Sequence, residues 1–197
     1  MLKGTSLSGG SGGSRKRVEN DYYATPPYVT DMFLNKWLKD DNINSFSHIL
    51  EPSCGEGHIS NVIMKYGKVS SFDLIDRGYE YMIGTRDFIK DDYTDNYDLV
   101  ITNPPFKYAQ EFIEKAYDIS SRWVVMFAKI QLLESEKRKY MFENTRLKYI
   151  YIHSKRVEVW RNGQCTDENG KKWANTMCFA WFVWDKKYTG EPVVRWL

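Results

Sequence analysis

The sequence predicts an α/β protein: a doubly wound, mainly parallel sheet of seven strands with helices on both faces. Three observations carry this. Short apolar runs alternate along the chain with segments of helical periodicity, the pattern of successive β-α-β units. A glycine-containing loop, "EPSCGEG" at 51–57, follows the first apolar run directly, as where a strand turns tightly into a helix. The length, 197 residues, supports one domain with a full hydrophobic core.

Residues 1–20, including "GTSLSGGSGGS" at 4–14, are mostly small and polar and read as a flexible tail or linker. Residues 21–197 read as a single domain. The first helix is predicted over 28–39, where Val29, Met32, Phe33, Trp37 and Leu38 recur at helical spacing. Pro26 or Pro27 suits its first turn, with Thr25 as the capping residue. A short buried strand follows at 46–50, then the glycine loop, a helix over 58–66 and a strand over 68–75. A less regular stretch leads to a strand at 97–102. Phe112, Ile113, Ala116 and Tyr117 mark a helix over 108–119. A strand at 122–128, a helix at 130–143 and a strand at 147–153 continue the alternation, and 176–185 is the last long strand.

Composition narrows the function. No apolar run approaches the ~18 residues of a membrane span. Cys54, Cys165 and Cys178 are far apart with no CxxC pair, which points to a reducing, cytoplasmic setting and away from disulfides or zinc. With His48, His58 and His153 equally scattered, no metal centre is expected. The net charge of +2 conceals an asymmetry: 14 Lys and Arg against 18 Asp and Glu in 1–128, and 14 against 8 in 129–197. Aromatics interleave with the later charges, as in "KRVEVWRNG" and "GKKWANT", which suits an anionic polymer. The polar, glycine-punctuated segment 155–176 is the candidate substrate loop. Lys155, Arg156, Arg161, Lys171 and Lys172 are its candidate nucleic-acid contacts, and Trp160 or Trp173 a stacking residue.

In sheets of this class ligands sit outside the carboxyl ends of the strands. Gly55 and Gly57 would let the backbone approach a ligand, while Glu51 would repel a pyrophosphate and suit a cationic amine. Asp73, about 20 residues past that loop, stands where an acid accepts ribose hydroxyls. Asp87 followed by Phe88 offers a carboxylate and an apolar wall to an adenine. The strand "DLVIT" then runs into Asn103, Pro104, Pro105 and Phe106. An amino group conjugated to a ring is a poor nucleophile, because its lone pair is delocalised. The side-chain carbonyl of Asn103 and the backbone carbonyl of Pro104 can accept its two hydrogens and favour a pyramidal nitrogen. The prolines hold both acceptors rigid, and Phe106 presents a stacking face for a flat base.

"NPPF", "EPSCGEG" and "DYYATPP" together resemble the class I S-adenosylmethionine-dependent amino-methyltransferases with the Rossmann-like methyltransferase fold. Over about 21–130 the chain is similar to DNA adenine-N6 enzymes, in particular small phage-type members. The resemblance implies S-adenosyl-L-methionine as cofactor. Tyr23, Thr25 and Pro26 would lie by its methionine end, and Glu51, Ser53, Gly55 and Gly57 would line that end and the loop beneath. Asp73 would hold the ribose, Asp87 and Phe88 the adenine, and Asn103 to Phe106 the target base. It implies methylation of adenine N6, with DNA ahead of RNA. Related tetrads serve RNA adenine N6, guanine N2 and protein glutamine, and a non-catalytic nucleic-acid-binding relative is a further alternative.

Overall fold

The computed structural model describes residues 22–172 and 177–197. The expected tail, 1–20, and Trp173 lie outside the described residues. In chain order the elements are β1 (Tyr23–Ala24), α1 (Pro27–Asp40), β2 (His48–Glu51), α2 (Ser60–Ile63), β3 (Lys68–Asp73) and β4 (Met82–Thr85). Then come β5 (Tyr97–Thr102), α3 (Ala109–Ile119), β6 (Ser120–Lys129), α4 (Glu136–Asn144), β7 (Leu147–Ile152), β8 (Trp160–Arg161), β9 (Phe179–Asp185) and β10 (Val193–Trp196). Among the described residues eight strands form one sheet in the order β10-β7-β9-β6-β5-β2-β3-β4, and β1 pairs with β8 in a separate ribbon. β9 runs antiparallel to β6 and β7, and the remaining pairs of the large sheet are parallel.

The central strands are apolar on both sides because both faces are covered. Leu99, Ile101, Val125, Phe127, Trp181 and Val183 join Phe33 and Trp37 of α1 and Val62 and Ile63 of α2. The alternate residues Val100, Val124, Met126, Phe182 and Trp184 join Phe112, Ile113 and Ala116 of α3 and Met141 of α4. This is the two-sided arrangement expected, but with eight strands rather than seven. The edge strands β4 and β10 are four residues each and largely unburied. They lack an apolar run and exist because β3 and β7 offer them backbone partners.

Other departures are local. Pro26 caps α1 and Pro27 opens it, while Thr25 makes no cap bond. Met32 is exposed and Leu34 takes the buried position. The helix expected at 58–66 is a single α turn, α2, continued as a 3-10 turn over Met64–Tyr66. That at 130–143 splits into a 3-10 turn, Ile130–Leu133, and α4. The segment 155–176 is not wholly a surface loop, since Val157 and Val159 are buried in the core beneath α1.

Candidate active site

The order of strands around β2 decides where a site forms. The chain leaves β2 for β3 and β4 on one side and returns to β5 and β6 on the other, so a crevice opens at the carboxyl ends of β2, β3 and β5. A cavity of about 660 Å³ lies there, lined by Tyr23, Thr25, Glu51, Ser53, Asp73, Asp87, Phe88, Asn103 and Pro105 among others. These residues come from five separate stretches of sequence. The volume suits a nucleoside-sized ligand.

Asp73 ends β3 and is tied to the glycine loop. Gly55 N–H donates to one carboxylate oxygen at 2.8 Å, and Ile75 N–H donates to the other at 3.0 Å. Beneath the cavity Glu51 is 1% exposed and accepts the hydroxyl of Ser60, which lies 2.6 Å from the Ser71 hydroxyl. Burial pushes the Glu51 carboxyl up to about 8, and the negative charge of Asp73 adds to the shift. Burial therefore disposes Glu51 to its neutral form, and a cation brought beside it would favour the charged form. Burial likewise pushes the neighbouring Cys54 thiol well above its usual range, which favours the protonated, less reactive form.

Asn103, just past β5, has its orientation set by the opposite wall. Its amide nitrogen donates to the Tyr23 carbonyl at 2.7 Å and to the Thr25 hydroxyl at 3.0 Å. Both amide hydrogens are used, so the group offers its oxygen to an incoming partner. Thr25 serves this amide rather than the helix it was expected to cap.

No family model matches the chain, and no curated protein matches it. Solved structures do. A candidate class I S-adenosylmethionine-dependent methyltransferase from Listeria monocytogenes superposes with TM-score 0.66 at 13% identity, over 90% of this chain and 66% of that one. A candidate RNA methyltransferase from Pyrococcus horikoshii gives 0.63 at 16%, over 89% and 92%. The methyltransferase subunit of a type I restriction-modification system from Streptococcus thermophilus gives 0.64 at 12%, over 85% of this chain and 45% of that subunit. The chain has the class I methyltransferase fold. The cavity occupies the carboxyl ends of the strands of that fold.

Within this methyltransferase fold the expected site residues fall both on and off the cavity wall. Gly55 (φ 56°) and Gly57 (φ 80°) do not line the cavity. A Cβ at Gly55 would meet the Tyr22 ring at 2.5 Å, and one at Gly57 would collide with the Tyr79 ring. At both glycines the structure brings an aromatic ring close to the backbone. Pro26 also lies off the cavity. Phe88 is 2% exposed and packs on Phe112 and Tyr93, with ring centroids 4.8 and 5.3 Å away. Its ring is core, and Leu74, Ile75 and Ile89 join it in the apolar part of the lining. Asp87 caps its own turn through the N–H groups of Ile89 and Lys90 and pairs with the Lys90 ammonium at 3.0 Å. The hydrogen bond from Lys90 lowers its pKa.

Pro104 and Phe106 stand outside the cavity lining. Phe106 was expected to offer an open face, but Tyr23 stacks on it at 5.0 Å and 23°. The Lys129 ammonium lies 3.9 Å from its centroid. Lys155, Arg156, Lys171 and Lys172 are exposed and Arg161 is half-buried, and none of the five lines the cavity. Lys172 pairs with Glu158 at 3.7 Å. The segment they belong to is nevertheless anchored at the cavity mouth: β8 pairs with β1, setting Arg161 opposite Tyr23. Trp160 packs edge-on to His58, a lining residue, at 5.2 Å.

Sequence reasoning missed Tyr22, Arg77, Arg86 and Lys107 in the lining. Only Leu74 and Ile75 carried a signal, as two apolar residues directly beyond the strand-end acid. Among the described residues no group of three or more His, Cys, Asp or Glu side chains is arranged to hold a metal ion, and no helix is long and apolar enough to cross a membrane.

Proposed function

We propose that the protein transfers a methyl group from S-adenosyl-L-methionine to the exocyclic amino group of a nucleobase, adenine N6 of DNA. The observation that carries this is the locked amide of Asn103 at the cavity wall. With both its hydrogens held by Tyr23 and Thr25, its oxygen is the group presented, and an oxygen acceptor is what a conjugated amine needs. The magnesium protoporphyrin IX methyltransferase from Synechocystis, a structure solved with bound S-adenosylmethionine, shares the fold at TM-score 0.55 and 13% identity, over 82% of this chain and 79% of that one. The restriction-modification neighbour supports a DNA substrate, and the Pyrococcus neighbour supports RNA as the alternative.

Bound in the cavity, S-adenosylmethionine supplies an activated methyl on a sulfonium. Glu51 takes the ammonium of its methionine end, Asp73 the ribose hydroxyls, and Asp87 with Leu74, Ile75 and Ile89 the adenine. Asn103 and the Pro104 carbonyl would accept the two hydrogens of the target amine and favour a pyramidal nitrogen with its lone pair available. Positioning supplies most of the acceleration. A base within a duplex must first be flipped out, at a cost of a few kcal/mol.

The test is labelled methyl transfer to duplex DNA, single-stranded DNA, RNA and protein, followed by identification of the methylated product. N6-methyladenine in DNA is expected. N6-methyladenine or N2-methylguanine in RNA would move the substrate, and methylglutamine in protein would overturn the nucleic-acid reading.

A further inference from the structure

Arg77 has no part in the cofactor contacts assigned above. It lines the cavity together with Tyr22 and Asp73, on the loop that leaves β3. That loop is fixed at two points: Ile75 N–H donates to the Asp73 carboxylate and Gly78 N–H to that of Asp76. The Arg77 guanidinium carbon lies 4.0 Å from the centroid of the Tyr22 ring. The ring is itself clamped. Glu56 N–H donates to its hydroxyl at 3.2 Å, and its other edge lies where a Cβ on Gly55 would collide with it.

Among the described residues Arg77 donates no hydrogen bond and forms no ion pair. Its Nε is buried without a partner, and no other described residue in the cavity lining leaves a buried side-chain polar atom in that state. Buried polar groups are normally satisfied, so an orphan in a cavity wall points to a ligand. Contact through the face of a guanidinium leaves its in-plane N–H groups for another acceptor.

Asp73 narrows what that acceptor is. Burial pushes the Tyr22 hydroxyl up to about 12, and the charges of both Arg77 and Asp73 reach it. An anionic group lodged beside these two would be drawn by one and repelled by the other. A hydroxyl suits both, donating its hydrogen to the carboxylate and accepting from the guanidinium. Each Asp73 oxygen accepts one backbone N–H and keeps capacity for a second hydrogen.

We propose that Arg77 is a ribose-binding residue, donating to a hydroxyl oxygen of the diol whose hydrogens Asp73 accepts. This rests on the cofactor reading above. It makes the ribose site two-sided, with a cation to serve the lone pairs that a carboxylate cannot.

The test is calorimetry of S-adenosylhomocysteine and its 2′-deoxy and 3′-deoxy forms with wild type and Arg77→Met, which keeps an unbranched chain against Tyr22. Wild type should lose about tenfold or more in affinity when the hydroxyl that Arg77 serves is removed. Arg77→Met should lose about tenfold or more for S-adenosylhomocysteine. That loss should nearly vanish for one of the two deoxy forms. Thermal melts report folding, with Arg77→Gln as the replacement if the methionine variant is unfolded. Equal wild-type affinity for all three ligands would overturn the inference without any variant. So would normal binding of S-adenosylhomocysteine by the variant, or a loss that is the same for all three ligands, which would place the effect in the loop. Tighter wild-type binding of adenosine 2′-monophosphate than of adenosine would mean an anion site and would overturn it too. If wild type binds none of these ligands, the cofactor reading falls first and this one with it.

Discussion

The amide nitrogen of Asn103 donates to the carbonyl oxygen of Tyr23 at 2.7 Å, across 80 residues of sequence. The bond joins the turn after β5 to the segment before α1, and the same segment pairs with β8. One short stretch thus borders the cavity, orients the Asn103 amide and anchors the basic segment.

Asn103→Ala should lower turnover by roughly 100-fold or more, the scale of removing a preorganised acceptor, with cofactor affinity nearly unchanged. Thr25→Val, which strips one partner from the amide, should cost about tenfold, while Thr25→Ser should be near normal. Single-turnover methyl transfer checks all three, and near-normal rates in Asn103→Ala would move the chemistry elsewhere.

Asp73→Ala should weaken S-adenosylmethionine binding by about 1.5–3 kcal/mol. It also leaves the Gly55 and Ile75 N–H groups without their acceptor, so its thermal midpoint should fall as well. Asp73→Asn keeps one acceptor and should separate the two effects. Titration calorimetry and thermal melts report them independently, and no binding by the intact protein would remove the cofactor assignment.

Glu51 couples the site to pH. Its folded pKa, about 8, lies above the value near 4.3 of an unfolded glutamate, so folding favours the protonated form. That stabilisation is complete below about pH 4 and is lost as pH rises through about 8, on the order of a few kcal/mol in all. The empty protein should become less stable from pH 5 to 8.5 in denaturant titrations, and Glu51→Gln should flatten the profile. Binding an ammonium reverses the preference, so cofactor affinity should rise with pH up to about 8 with release of a proton. Calorimetry in two buffers of different ionisation enthalpy would show that proton; identical heats would disconnect Glu51 from the amine.

Gly57→Ala meets both a left-handed backbone and the Tyr79 ring. A loss of about 1 kcal/mol or more is expected from the backbone alone. Adding Tyr79→Ala should recover only the steric part. Full recovery in the double variant would place the whole effect in the ring contact.

Neutralising Arg161 and Lys172 together should flatten the salt slope of duplex binding by up to about two units. The exposed Glu158 pair of Lys172 is a small obstacle, since such pairs contribute about 0–1 kcal/mol. An unchanged slope in a filter-binding or anisotropy series would make these charges a solvated face.

The sequence by itself determined the alternation of buried strands and helices, because strands covered on both faces must be continuously apolar and helices must carry a stripe. It also marked Glu51, Asp73 and Asn103, since polar groups ending apolar strands stand out against their surroundings. Tertiary structure decided the rest. The strands β4 and β10 exist through backbone pairing that leaves no side-chain pattern, and the need for Gly55 and Gly57 comes from Tyr22 and Tyr79, residues 33 and 22 positions away. Phe88 went to the core because α3 packs over it, and the cavity's cations arrived from separate loops. Above all, the direction in which Asn103 points is set by Tyr23 and Thr25, and only folding brings those three residues together.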